Sequence, residues 1–302
     1  MNEHYPRIRL YASHGAPIIR ESLSICFYMR RSHHELAHAV QRSLDTYLRA
    51  VGPQALAWYA GQDDWLMLDA NNWEDLRHKL LEHDWPSLEL VDDPAGVHEL
   101  AFEYHGKWFE DPRGLEEPDM MSAIGYWLPT EYLEAHGPDA VRKLALALAD
   151  PLPLCSGHAG LSFHAMHGYR ETEEQLSQLC LRYPGMDVVL LRSLSWRLGT
   201  RVKGPSWLTF LGQPVLGELG GVEGLRARLS SPGTTVEPIA GDRAAISLGP
   251  WPEAGDTEAG RNLPEYRELA RVLGPHLYRP SGPWSPYFPE DIWLRWARRF
   301  LD

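Results

Sequence analysis

The chain has 302 residues, 44% hydrophobic and 23% charged, which is enough for a full core and excludes intrinsic disorder. Its 29 Lys and Arg face 41 Asp and Glu, and the net charge of −12 disfavours nucleic acid or anionic lipid as partners and favours a basic protein. Three cysteines, Cys26, Cys155 and Cys180, are too few and too far apart for a disulfide framework or a paired-cysteine metal site, and they fit a reducing compartment. The polar opening (Asn2, Glu3, His4) lacks the apolar run of a signal peptide, and nothing approaches the roughly 18 continuous apolar residues of a membrane span. A soluble, cytoplasmic protein is expected, with no cofactor.

Residues Ile18 to Arg30 alternate through Ile25, Phe27 and Met29 and read as a strand. Ser32 is placed to cap the next segment, where Leu36, Val40, Leu44, Tyr47, Leu48 and Val51 fall at helical spacing until Gly52-Pro53 ends the run. Leu56 to Leu68 reads as strands interrupted at Gly61–Asp64, and a short helix follows over Trp73–His83. Leu100, Phe102 and Tyr104 alternate against His98, Glu99 and Glu103, predicting another strand. Glu110 to Asp119 reads as an acidic loop where two lobes would meet, near residues 110–120.

Ser122–Leu128 is a further strand, followed by a helical stretch from Pro129 that breaks at His136-Gly137-Pro138 and resumes to Leu148. Ser156-Gly157-His158-Ala159-Gly160 reads as a glycine-rich turn entering a strand over Leu161–His167. Thr172–Leu181 reads as a helix, Val188–Leu191 as a short apolar run, and residues up to Leu229 as helix-like after Gly212. A strand pair over Val236–Leu248, a Gly255-Asp256 turn and a helix through Tyr266–Val272 come next. Pro280–Pro289 reads as coil, and Ile292–Leu301 as a terminal amphipathic helix. The order is not a regular β-α alternation, so the fold class is α+β, with mixed or antiparallel sheets faced by amphipathic helices.

His34-Glu35-Leu36-Ala37-His38 matches HExxH, in which two imidazoles one turn apart bind zinc and the Glu acts as base. At about 100° per residue, however, His34 and His38 lie opposite Leu36, Val40 and Leu44, on a solvated face, and no third ligand stands at a recognised spacing. Ser156 and His158 do not form a nucleophile elbow. Gly217–Gly224 and Lys203-Gly204 lack nucleotide-binding spacing. The Arg295, Arg298 and Arg299 group suits a helix C-terminus. The acidic positions Asp63, Asp64, Asp92, Asp93, Glu116, Glu117 and Asp119 are the candidate binding residues, able to imitate a phosphate backbone and steer a basic partner.

Lys203-Gly204-Pro205-Ser206-Trp207-Leu208-Thr209-Phe210-Leu211-Gly212 resembles the core motif of the type VI secretion immunity proteins, a family first catalogued as a domain of unknown function. Leu219-Gly220-Gly221, Gly255-Asp256, Pro264-Glu265-Tyr266, Leu128–Leu133 and Ser156–Gly160 are similar to its further steps, in order. Trp293–Phe300 resembles its Trp-Leu and Arg-Phe ending. The resemblance implies one immunity-type domain over residues 1–302, without catalytic residues. Such a protein binds a cognate secreted toxin, commonly a nuclease, and blocks its active site. Neither nucleic acid nor membrane is expected as a partner, and oligomeric state is left open. The alternative is a zinc-dependent hydrolase using His34 and His38 as ligands and Glu35 as base.

Overall fold

The computed structural model describes residues 4–112, 116–282 and 285–302. Asn2 and Glu3, residues 113–115 of the acidic stretch and residues 283–284 of the Pro-rich stretch lie outside the described residues. One twelve-stranded sheet runs through the chain. Its strands are β1 (Arg9–Tyr11), β2 (Pro17–Met29), β3 (Trp58–Ala60), β4 (Trp65–Met67), β5 (Ser87–Val91), β6 (Ala101–His105), β7 (Ser122–Pro129), β8 (Ser156–Ala165), β9 (Asp187–Val188), β10 (Leu208–Leu211), β11 (Thr234–Ile239) and β12 (Arg243–Leu248). The order is β11-β12-β10-β8-β2-β7-β6-β5-β3-β4, with β1 on β2 and β9 on β8. All pairings are antiparallel except β8 with β9.

The helices are α1 (His33–Val51), α2 (Ala70–Glu82), α3 (Thr130–His136), α4 (Pro138–Ala149), α5 (Arg170–Arg182), α6 (Leu191–Arg197), α7 (Val215–Glu218), α8 (Gly221–Arg228), α9 (Pro264–Leu273) and α10 (Glu290–Ala297). The architecture is α+β. No helix among the described residues is long and apolar enough to cross a membrane.

The long β2 sits at the middle because nearly all of it is buried on both faces. One face carries Leu23, Ile25, Phe27 and Met29 into the main core, where Leu36, Val40 and Leu44 of α1 and Leu76 and Leu80 of α2 meet Leu90, Phe102 and Tyr104. The other carries Cys26 and Tyr28 into a second core closed by Leu191 and Leu194 of α6. Period-2 alternation thus splits β2, β5, β6 and β7 between two cores.

Two sequence expectations change here. Ser156–Gly160 is not a turn but the first half of the ten-residue β8, fully paired with β2. Its glycines are there for close approach. A Cβ on Gly157 would stand 2.6 Å from Phe27 Cδ1, and one on Gly160 2.7 Å from Ser206 Oγ. Leu191–Arg197 form a helix, which the expected apolar run over Val188–Leu191 did not foresee. Ser32 does precede α1, but its Oγ bonds Glu110 and the Phe109 amide rather than the helix's own N–H groups.

Candidate functional site

The motif residues of the sequence converge on a buried ion cluster. His158 comes from β8, Asp187 from β9, Lys203 from the segment before β10, and Arg299 from just after α10. Lys203 Nζ pairs with Asp187 Oδ2 and donates to Val188 O at 2.9 Å. His158 Nε2 lies 3.3 Å from Asp187 Oδ2, and Arg299 Nη2 lies 3.6 Å from Asp187 Oδ1. The Arg299 guanidinium also donates to Pro184 O at 2.7 Å and stacks 3.8 Å from the Trp296 ring centroid. Trp293 and Trp296 are stacked at 4.9 Å above it. Burial raises the Asp187 carboxyl, but the Lys203 and Arg299 cations outweigh that and hold it below its ordinary value. Burial pushes His158 down to about 3, against the pull of Asp187, so its imidazole is neutral. The cluster ties the C-terminal helix to the central strands. The adjoining cavity holds only about 40 Å³, room for a few waters.

Other motif residues are structural in the same sense. Trp207 Nε1 donates to Gly249 O at 3.0 Å, and Ser206 Oγ donates to Ala159 O at 2.9 Å. Asp256 holds Arg182 with two bonds of 3.2 Å and accepts the amides of Glu258 and Ala259. The recognisable stretch is frame.

The candidate acidic residues fall at two ends of the sheet. Register places the Gly61–Asp64 turn beside the start of β5, the end where β7 begins and where Glu116, Glu117 and Asp119 lie. Asp92 and Asp93 follow the opposite end of β5. Asp119 is paired with Arg201 at 2.7 Å. Asp92 Oδ1 accepts the Asp93 amide at 2.9 Å and Asp93 Oδ1 the Ala95 amide at 2.9 Å, bonds internal to their loop. Asp63, Asp64, Glu116 and Glu117 are exposed.

His34, Glu35 and His38 are exposed on α1, opposite buried Leu36, Val40 and Leu44, as the spacing predicts. The ligand atoms of His34, Glu35 and Glu110 lie within 4.8 Å of one another, and His38 is outside that group. Glu35 pairs with Arg31 at 3.3 Å.

A different surface stands out on the sheet itself. α6 lies over β6 and β7 on the Cys26–Tyr28 face. Beyond it, among the described residues, no helix packs on that face of β5, β3 and β4. Alternation and register put Ser87, Glu89 and Val91 of β5, Glu103 and His105 of β6, Trp58 and Ala60 of β3, and Trp65 and Met67 of β4 together there. Glu89 is directly opposite Glu103. Trp58 and Trp65 are half-buried, and Met67 is 61% exposed. Glu103 Oε1 meets His105 Nε2 at 2.5 Å, and His105 Nδ1 lies 3.1 Å from Ser87 Oγ.

Between β6 and α6 the face deepens into a groove of about 670 Å³ lined by Glu103, Leu191, Arg192 and Trp196. At its end Lys107 Nζ sits 3.6 Å from the Trp196 ring centroid, beside Trp85 stacked on Trp196 at 5.9 Å. Glu89 is exposed, yet the neighbouring side chains desolvate its carboxyl and, with the like charge of Glu103, push it up to about 7, while Arg192 opposes. Sequence reasoning noted Glu103 on the polar side of its strand but not Glu89. The Leu88-Glu89-Leu90 alternation was the available signal.

The chain belongs to the TsiV family, described as type VI immunity for VRR-NUC, whose model matches residues 39–300. No curated protein matches the chain. Among solved structures it is similar to the Pseudomonas aeruginosa T6SS protein PA0821, at 22% identity and a TM-score of 0.79, over 97% of this chain and 87% of that one. That likeness shows a shared fold.

Proposed function

We propose that this protein neutralises a VRR-NUC effector by binding over its active site and keeping nucleic acid out. Membership of the immunity family carries the reading. The net charge of −12 supports it, because a protein that handles nucleic acid needs a cationic surface around its site. The exposed acidic residues Asp63, Asp64, Glu116 and Glu117 are suited to steer such a partner. The chain acts in the cytoplasm as a binding protein, and its work is steric and electrostatic rather than catalytic.

The test is co-expression with the cognate VRR-NUC effector in a sensitive bacterial host. Growth should be rescued, and the two proteins should co-purify. A host that still dies, with no complex recovered, would refute the reading.

A further inference from the structure

We infer that the sheet face of β3, β4 and β5 beyond α6, with Glu89 opposed to Glu103 at the edge of α6, is the seat for basic side chains of the VRR-NUC partner. This rests on the proposed function and assigns it a surface.

Three observations carry it. The first is the pairing of like charges. Residues directly opposite on antiparallel strands have Cβ atoms about 4.5–5.5 Å apart, and two carboxylates there repel. Much of the acidic surface elsewhere is neutralised by arginines of this chain. Glu131 meets Arg7, Arg9 and Arg20, Glu134 meets Arg7, Asp45 meets Arg77, Glu237 meets Arg142, and Asp119 meets Arg201. Glu103 is met by His105, whereas Glu89 has no ion pair among the described residues and only the field of Arg192 pulling its carboxyl down. A guanidinium or ammonium from outside would relieve the repulsion and be held by two acceptors at once.

The second is the apolar flank. Trp58, Trp65 and Met67 lie on the same face, around the small Ala60, so the surface between Glu89 and Trp65 is shallow enough for a side chain to enter. Aromatic residues and Met are enriched at interface centres, and charged groups such as these carboxylates belong to the polar rim around them. The third is charge complementarity. The occupant must be cationic, and the surface a nuclease turns to nucleic acid is cationic.

The test uses the full chain and the cognate effector made inactive by substitution in its nuclease site. Binding is measured by calorimetry for wild type, Glu89→Arg, Glu103→Gln and Trp65→Ala. Glu89→Arg should weaken binding at least 100-fold and the other two at least 10-fold, with circular dichroism unchanged. Hydrogen exchange on the wild-type complex provides a reading independent of any variant. Residues 58–67, 87–91 and 101–105 should gain protection.

If wild type binds while Glu89→Arg binds within threefold of it, or protection appears only elsewhere, the assignment is overturned and the immunity reading stands. If wild type itself does not bind, the immunity reading fails first.

Discussion

Replacing Lys203 by Met removes the closest cation from Asp187 while keeping most of the side chain's volume. In the native protein Lys203 is 9% exposed, and its ammonium pairs with a carboxylate that is itself 11% exposed. After the change, Asp187 keeps the Val188 amide at 2.9 Å, the neutral His158 at 3.3 Å and Arg299 at 3.6 Å, and Val188 O loses the Lys203 donor. Breaking a buried pair from one side costs about 3–5 kcal/mol, because the remaining charge stays desolvated. Thermal unfolding should therefore drop by roughly 10 °C, at about 2–4 °C per kcal/mol.

The acid limb should move as well. Asp187 is held below its ordinary value, so its stabilisation is present above the unfolded carboxylate range and is lost as pH falls through the folded value. Without Lys203 that loss begins at higher pH. Urea titrations at pH 7 and pH 4 measure both effects. Asp187→Asn with Lys203→Met should cost at least about 1 kcal/mol less than the two single changes added together. A single-variant loss under about 1 kcal/mol, or strict additivity, would refute the view of the cluster as a coupled, desolvated unit.

Four more outcomes follow from the same geometry. His158 is held neutral, with its value lowered to about 3. Between about pH 6.5 and 3 the unfolded state therefore binds the extra proton, and stability decreases as pH falls through that window, by up to about 1.4 kcal/mol per unit. A soluble His158→Gln variant should flatten that slope in pH-dependent unfolding. Two neighbouring motif glycines should respond oppositely to alanine. A Cβ at Gly212 would stand 2.1 Å from Leu154 O, whereas at Gly204 nothing lies within 4 Å, so Gly212→Ala should cost at least about 3 kcal/mol and Gly204→Ala no more than about 1 in the same urea assay. Glu89, raised to about 7, gives stability below the unfolded carboxylate value that is lost as pH rises through 7, so Glu89→Gln should be stabilising at pH 8 and not at pH 4. Metal analysis after dialysis should find no stoichiometric zinc, because His38 stands outside the exposed His34–Glu35–Glu110 group.

Long periodic elements were legible in the sequence because burial of one face leaves a pattern. α1 spans His33–Val51, the predicted residues, and the Gly61–Asp64 break separates β3 from β4. α6 has only seven residues, too few for a helical stripe to declare itself against the flanking apolar run. Ser156–Gly160 misled because glycine marks turns and close contacts alike, and only the Phe27 ring and Ser206 hydroxyl tell which applies.

The ion cluster could not be read at all. The resemblance flagged His158, Lys203 and Arg299, but their meeting around Asp187 depends on β8, β9 and the C-terminal helix coming together across the chain. The open sheet face was half legible. Alternation marks Glu103 as a polar-side residue, but its register opposite Glu89, and its place at the edge of α6, belong to tertiary structure.

The two outermost strands bear on how the molecule behaves in a crowded solution. A large open sheet ends in two rows of backbone groups that invite another chain to add a strand. At one end β4 offers only three residues, too short a ladder to hold an added strand, with the charged Asp63-Asp64 turn at its start. At the other, β11 carries Pro238, which has no N–H to give, next to Glu237. Both ends resist extension. The protein can therefore display Trp58, Trp65 and Met67 on an open sheet face without that sheet becoming a template for fibrous aggregation.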